Sequence, residues 1–314
     1  MISTIQDLMK PVFIAVAITA CLPIATSHAQ VTFAYVSATG SGSACTATQP
    51  CSSLNAAINV ALTSNSSNGQ IVCLGSVNLS IPSTVTDIFI NDQTLKIDCP
   101  AGAYLTGLFW GGSNETAKFR NVTFTNLGLT SAIRFTGSGT LILENCVFEE
   151  STKTVLDIEP NGPLNLVIRN SRISNNASGM LLKPAVGGSI NATFDHVVIT
   201  SNNGGAIKTD STNGAVNLDI TDSEISNNAA NGINLVGSAN QNMLNLSRTV
   251  IAKNTLTGLQ TNGASAAALV ETTLFDTNAS GATAVVNGGH ILTYGNNRIV
   301  GSAGSGFTGP TPLQ

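Results

Sequence analysis

Arg172-Ile173-Ser174-Asn175-Asn176-Ala177-Ser178-Gly179-Met180-Leu181, Val198-Ile199-Thr200-Ser201-Asn202-Asn203-Gly204-Gly205-Ala206-Ile207 and Glu224-Ile225-Ser226-Asn227-Asn228-Ala229-Ala230-Asn231-Gly232-Ile233 repeat one pattern at steps of 26 residues. Working outward from these segments, the isoleucine position recurs as Phe124, Phe148, Ile173, Ile199, Ile225, Ile251, Phe275 and Ile299, at spacings of 24 to 26. A fixed period of this kind marks a stack of similar units rather than one compact core. Two further apolar columns accompany it. Phe119, Leu143, Ile168, Phe194, Ile220, Leu246, Val270 and Tyr294 stand five residues earlier, and Ala117, Leu141, Leu166, Ala192, Leu218, Leu244, Ala268 and Leu292 seven earlier. Their offset of two is the period of a strand with one face inward.

Three residues after the anchor stand Asn176, Asn202, Asn228, Asn254 and Asn278. Identical amides stacked at about 4.8 Å can each donate to one neighbour and accept from the other, which predicts an asparagine ladder at a tight bend. Gly179, Gly205, Gly232 and Gly258 follow, expected to lend those bends backbone freedom. A third alternating strand comes next, as in Ala132-Ile133-Arg134-Phe135 and Val155-Leu156-Asp157-Ile158. The coils do not keep a leucine-rich frame, and a propeller blade needs about 40 residues. The fold class is therefore all-β, a single-stranded right-handed parallel β-helix with coils of 24 to 26 residues. Helical spacing of Leu54, Ile58, Ala61 and Leu62 predicts one short helix over 52–63, capped by Ser52 or Ser53, placed to cover the open apolar end.

Ahead of the solenoid, Lys10, an uncharged apolar run from Pro11 to Ala25 and Ser27-His28-Ala29 read as a secretory signal peptide cleaved after Ala29. Ile18-Thr19-Ala20-Cys21 offers the alternative of a lipoprotein anchored at Cys21. The expected organisation is a leader at 1–29, an N-terminal cap at 30–65, the β-helix at 66–300 and a flexible Gly/Ser/Pro-rich tail at 301–314. An oxidising, secreted, periplasmic or cell-surface location predicts disulfides, Cys45 with Cys51 around a short loop and Cys73 with Cys99 one coil apart, leaving Cys146 as buried filler. Charged residues are 10% of the chain, the net charge is -4 and the basic residues are scattered, which excludes a nucleic-acid footprint. No transmembrane segment is expected in the mature chain.

The opening strand Phe33-Ala34-Tyr35-Val36-Ser37, the Gln49-Pro50-Cys51 loop, the short helix, the repeated turn and Tyr294-Gly295-Asn296-Asn297 in the last coil together resemble the pectin-lyase-like right-handed β-helix superfamily. Within it, the chain looks like bacterial secreted β-helix repeat proteins. The resemblance spans essentially the whole mature chain. It implies polysaccharide lyases, hydrolases, epimerases and glycan-binding tailspikes as functional classes, without selecting among them.

Chemistry in such a fold is assembled by columns. Three residues before the anchor the column reads Asn121, Asn145, Asn170, His196, Asp222, Arg248, Thr272 and Asn296, which puts His196, Asp222 and Arg248 in a row as the candidate catalytic residues. Arg120, Glu144, Arg169 and Asp195 flank them, and the same alternation of sign is what relieves repulsion down a parallel stack. Asp195 with Asp219, or Asp157 with Asp210, are the carboxylate pairs available for glycoside hydrolysis. The calcium-lyase and polygalacturonase motifs do not transfer: Trp110 is followed by Gly111, and only Lys208-Thr209-Asp210 and Gly288-Gly289-His290 approach them. No cofactor and no metal site is expected. Tyr104, Phe109 and Trp110 lie in an irregular stretch, 103–113, and offer either an exposed aromatic patch or simple packing over the flank. The expected function is a non-catalytic module that presents a flat, Asn/Thr/Ser-rich face to polysaccharide or an envelope component; the alternative is a lyase- or epimerase-type carbohydrate-active enzyme.

Overall fold

A computed structural model describes residues 31–62, 67–78, 86–105, 108–125 and 131–310. The expected leader, its cleavage site and Cys21 lie outside these residues.

Each coil contributes three short strands, as in Ser189–Asp195, Val198–Thr200 and Ile207–Asp210. Every strand pairs in parallel with its equivalents in the preceding and following coils. The result is three stacked sheets winding as a right-handed parallel β-helix. The third sheet has nine strands, from Thr86–Asn91 to Thr283–Val286. The first and second join into a 20-stranded sheet because Thr94–Leu105 and Glu115–Thr125 run unbroken through both.

The anchor column pairs in register, Phe124 with Phe148, Ile173, Ile199, Ile225, Ile251, Phe275 and Ile299. From Phe124 to Phe275 its members are fully buried, and the Phe124 and Phe148 rings stack at 4.7 Å. Burial of such side chains contributes about 1.5–3 kcal/mol each, the main force holding coil to coil. In the last coil the inward column shifts by one residue. Ile291 and Thr293, not Leu292 and Tyr294, pair with Ala268 and Val270, and Leu292 is exposed. The turn through Gly295 (φ 82°) makes the difference: the coil enters its corner one residue early, and a one-residue slip reverses every side chain.

Both tight corners use left-handed backbone. The first runs through Asn121, Asn145, Asn170, His196, Asp222, Arg248 and Thr272, and the second through Glu150, Asn175, Ser201, Asn227, Lys253 and Thr277, all with φ between 45° and 59°. Asparagine tolerates that region best, which accounts for its frequency there. Next to the second corner the ladder forms: Asn176, Asn202, Asn228 and Asn254 each donate Nδ2 to the Oδ1 of the following asparagine at 2.9–3.0 Å. A hydroxyl ladder lines the first corner, where Ser171 and Ser223 accept the backbone N–H of Cys146 and Val197 at 3.1 and 3.0 Å. Gly179, Gly232 and Gly258 are not needed for unusual φ. A Cβ at each would meet a carbonyl oxygen of the next coil at 2.0–2.7 Å, so close backbone approach requires them.

Cys45 is bonded to Cys51 and Cys73 to Cys99, and Cys146 is free and buried. The helix is Leu54–Ala61, shorter than expected, with Ser53 accepting the Ala56 N–H as its N-cap. Leu54, Ala57 and Ala61 are buried, and the helix packs on the first-coil strands Thr32–Val36 and Asn68–Cys73. At the opposite end the chain from Ser302 runs back over the last coil: Ala282 and Thr283 donate their N–H to Ser302 and Ala303, and Thr308 donates to Ile291. Among the described residues no helix is long and apolar enough to cross a membrane.

Candidate functional site

The candidate row His196, Asp222 and Arg248 stands on three successive coils, at left-handed positions of the first corner. Its charges are already held. The Arg248 guanidinium donates Nε and Nη2 to the two Asp222 oxygens at 2.9 and 2.8 Å, and His196 Nδ1 meets Asp195 Oδ1 at 2.6 Å. The hydrogen bonds from Arg248 hold the Asp222 carboxyl below its usual range, and the same pair raises Arg248. The His196 side chain is 62% exposed, so this ridge is wet and its pairs are worth little energetically. Further along it, Arg120 lies 3.4 Å from both Asp98 and Glu144, and Lys118 is 2.7 Å from Glu144.

A denser group of charges lies on the outward face of the third sheet, where the strand after the asparagine corner turns alternate residues to solvent. One outward column runs Phe109, Arg134, Asp157, Leu181, Lys208, Asn234 and Gln260. Glu159, just past the strand end at Ile158, follows Asp157 two residues on, Lys183 follows Leu181 in the same way, and Asp210 follows Lys208 on its strand. Arg134 Nη2 reaches Glu159 at 3.1 Å, its Nε lies 3.8 Å from Asp157, and Lys183 is 4.0 Å from Asp210. The Arg134 guanidinium also sits over the Phe109 ring at 5.8 Å.

Asp157 is set apart within this group. Burial pushes its carboxyl above the usual range, Glu159 adds like-charge repulsion, and Arg134 and Lys183 oppose both. Its Oδ1 is buried without a hydrogen-bond partner. For Asp210, burial is outweighed by two hydrogen bonds from Thr212 and by Lys183 and Lys208, leaving its carboxyl below the usual range. A half-buried acid and an ionised one two strands apart, with three cations between and around them, is an arrangement able to hold an acidic sugar and to exchange a proton with it. Beside it a shallow depression of about 210 Å³ is lined by Ser178, Lys208, Asn231 and Asn234.

The Asp157 and Asp210 pair named from the sequence thus falls in one charged field, whereas Asp195 and Asp219 are bonded separately, to His196 and to Asn245 at 2.7 Å. Arg134, Glu159 and Lys183 were missed. Their signal is the outward half of the alternation in each third strand. Of the two readings of the aromatic stretch, the exposed patch does not hold. Trp110 is fully buried, at an inward position beneath the sheet, and stacks edge-on to Phe119 at 5.7 Å. Tyr104 is exposed but lies on the second sheet, while Phe109 is on the third. They form no common patch, because alternation along one strand sends Phe109 and Trp110 to opposite faces. The Asn/Thr-rich face is the outward first sheet, where amides bond to one another, Asn217 to Asn191 at 2.9 Å.

The sequence model of the family described as "Right handed beta helix region" matches residues 106–185. No curated protein matches the sequence. Among solved structures, the pectate lyase Pel9A superposes with a TM-score of 0.65, at 16% identity, over 89% of this chain and 77% of that one. The A-module of the mannuronan C-5 epimerase AlgE4 from Azotobacter vinelandii is 10% identical, with a TM-score of 0.37 over 78% of this chain and 89% of that one. At such identity the pectate lyase likeness shows the fold alone: the chain is a right-handed parallel β-helix that superposes on a pectate lyase.

Proposed function

We propose, from this right-handed parallel β-helix, a secreted or cell-surface protein that binds an acidic polysaccharide along the outward face of its third sheet without cleaving it. The observation that carries the reading is the composition of that face. Arg134, Lys183 and Lys208 alternate with Asp157, Glu159 and Asp210, and the row continues into Asn234 and Gln260. Cations offer charge-assisted bonds to sugar carboxylates, and the carboxylates and amides accept and donate to sugar hydroxyls. Phe109 beside Arg134 supplies an apolar ledge for a ring face. The two disulfides support an oxidising compartment, and the fold it shares with a pectate lyase makes a polysaccharide partner the natural class.

The test is retention of the mature protein on immobilised polyuronate, against a neutral glycan, with absorbance of unsaturated uronides followed in parallel. Arg134→Ala or Lys208→Ala is expected to weaken retention by about tenfold, the value of one charge-assisted hydrogen bond. Retention unchanged in both variants would overturn the reading. His196→Ala is expected to leave retention intact, since that side chain lies on another corner. One observation favours catalysis instead: the raised carboxyl of Asp157, suited to proton transfer. Growth of absorbance in the wild type, abolished in Asp157→Asn with folding intact, would establish the enzyme and replace the binding module.

A further inference from the structure

We propose that the outward face of the first sheet carries, at its N-terminal coils, a second site, for a single oxyanion group of an acidic glycan, either a carboxylate or a sulfate. Gln70, Lys96 and Lys118 stand directly opposite one another on three successive strands. Two ammonium groups are thereby placed on paired positions of strands about 4.8 Å apart, where like charges repel. Elsewhere in the stack opposed charges differ in sign: Arg134 faces Asp157, and Arg120 has Asp98 and Glu144 on either side.

Lys118 is turned to Glu144 at 2.7 Å, but Lys96 has no ion pair among the described residues. The nearby carboxylate of Asp98 is engaged by Arg120 and by the Asn121 amide at 3.2 Å. These side chains surround a depression of about 240 Å³ lined by Gln70, Lys96, Asp98, Lys118 and Arg120. Thr94 and Thr116, two residues upstream of the lysines, bring hydroxyls to the same face. An oxyanion seated between the two ammoniums accepts from both and turns their repulsion into attraction, with Gln70 and Arg120 donating at its edges. Charge-assisted bonds favour either a planar carboxylate or a tetrahedral sulfate here.

The experiment titrates the mature protein at low ionic strength with sodium sulfate and, separately, with a short galacturonic acid oligomer, reading calorimetric affinity and melting temperature. At least one of these anions is expected to bind the wild type and raise its melting temperature. Binding of sulfate alone assigns a sulfated glycan, and binding of the uronate oligomer alone assigns the carboxylate. Lys96→Gln is expected to lose about tenfold in affinity while melting no lower than wild type in anion-free buffer, because it removes the like-charge contact. Glu144→Gln, which releases Lys118, is expected to tighten binding. Failure of both anions to bind, or equal affinity in wild type and Lys96→Gln, overturns the site. Arg134→Ala separates the two faces: it weakens retention on the third sheet and leaves the Lys96-dependent component of this titration unchanged.

Discussion

Glu115 begins its strand at an inward position that elsewhere in the stack holds Gly139, Leu164, Ile190, Val216, Asn242 and Ala266. It is 1% exposed, and neither carboxylate oxygen has a hydrogen-bond partner. Burial raises its pKa to about 7; the Trp110 indole N–H opposes this only partly, since no bond of good geometry joins them. The carboxyl is therefore protonated in the fold over a range where it is ionised in the unfolded chain. Its contribution to stability is greatest below pH about 4.5, falls as pH rises to about 7 and is level beyond, by about 3 kcal/mol in all. Denaturant midpoints at pH 4.5 and 8 are expected to show this fall in the wild type and to lose most of it in Glu115→Gln. Thr272 makes a second prediction at this scale. It is β-branched and left-handed, with φ 46°, in a column where Asn121, Asn145 and Asn170 take the same left-handed conformation. Thr272→Asn is expected to raise thermal stability by about 0.5–1 kcal/mol.

The corner, rather than the strand, is the element that separates this solenoid from a generic stack. Asn228 Oδ1 accepts both the backbone N–H and the Nδ2 of Asn202, while its own Nδ2 serves Ile199 O, Ser226 O and Asn254 Oδ1. Asn228→Ala breaks all five contacts in a buried setting and is expected to cost about 3–5 kcal/mol in equilibrium unfolding, since orphaned buried groups lose their full desolvation penalty. A small change would refute a cooperative ladder. This element was legible in advance because one residue type recurs at one period. Its counterpart at the first corner was not. Ser171, Ser223 and Thr249 do the same work with two residue types, and their column carries no single letter to follow.

At the scale of the molecule, a parallel stack must close two ends whose strands have unpaired edges and whose core is open. The helix Leu54–Ala61 closes one. The other is crossed by residues 302–310, which bond to Ala282, Thr283 and Ile291, although the sequence there reads as a tail. A chain ending at Val300 loses those contacts and uncovers the edge of the last coil. It is expected to associate, with light scattering that rises with concentration, whereas the full mature chain scatters as one species. Equal scattering from both would show that the segment does not protect the end.

The sequence by itself determined the period, the inward columns, the asparagine ladder and hence the winding of the chain, because those depend on local alternation and on side chains exactly one coil apart being neighbours. It determined the row His196, Asp222 and Arg248 for the same reason. Only the tertiary structure decided what each row is worth. Whether two columns share a face depends on corner geometry that no period encodes, and so Arg134, Asp157, Glu159 and Lys183 became one charged field only in three dimensions. The opposition of Lys96 and Lys118 was hidden because that coil advances 22 residues and its register shifts between Asp98 and Ala103, out of phase with the repeat. The place of Trp110 was left open for the converse reason: its neighbours suggested an irregular loop, while a regular strand, by its alternation, turned the ring into the core.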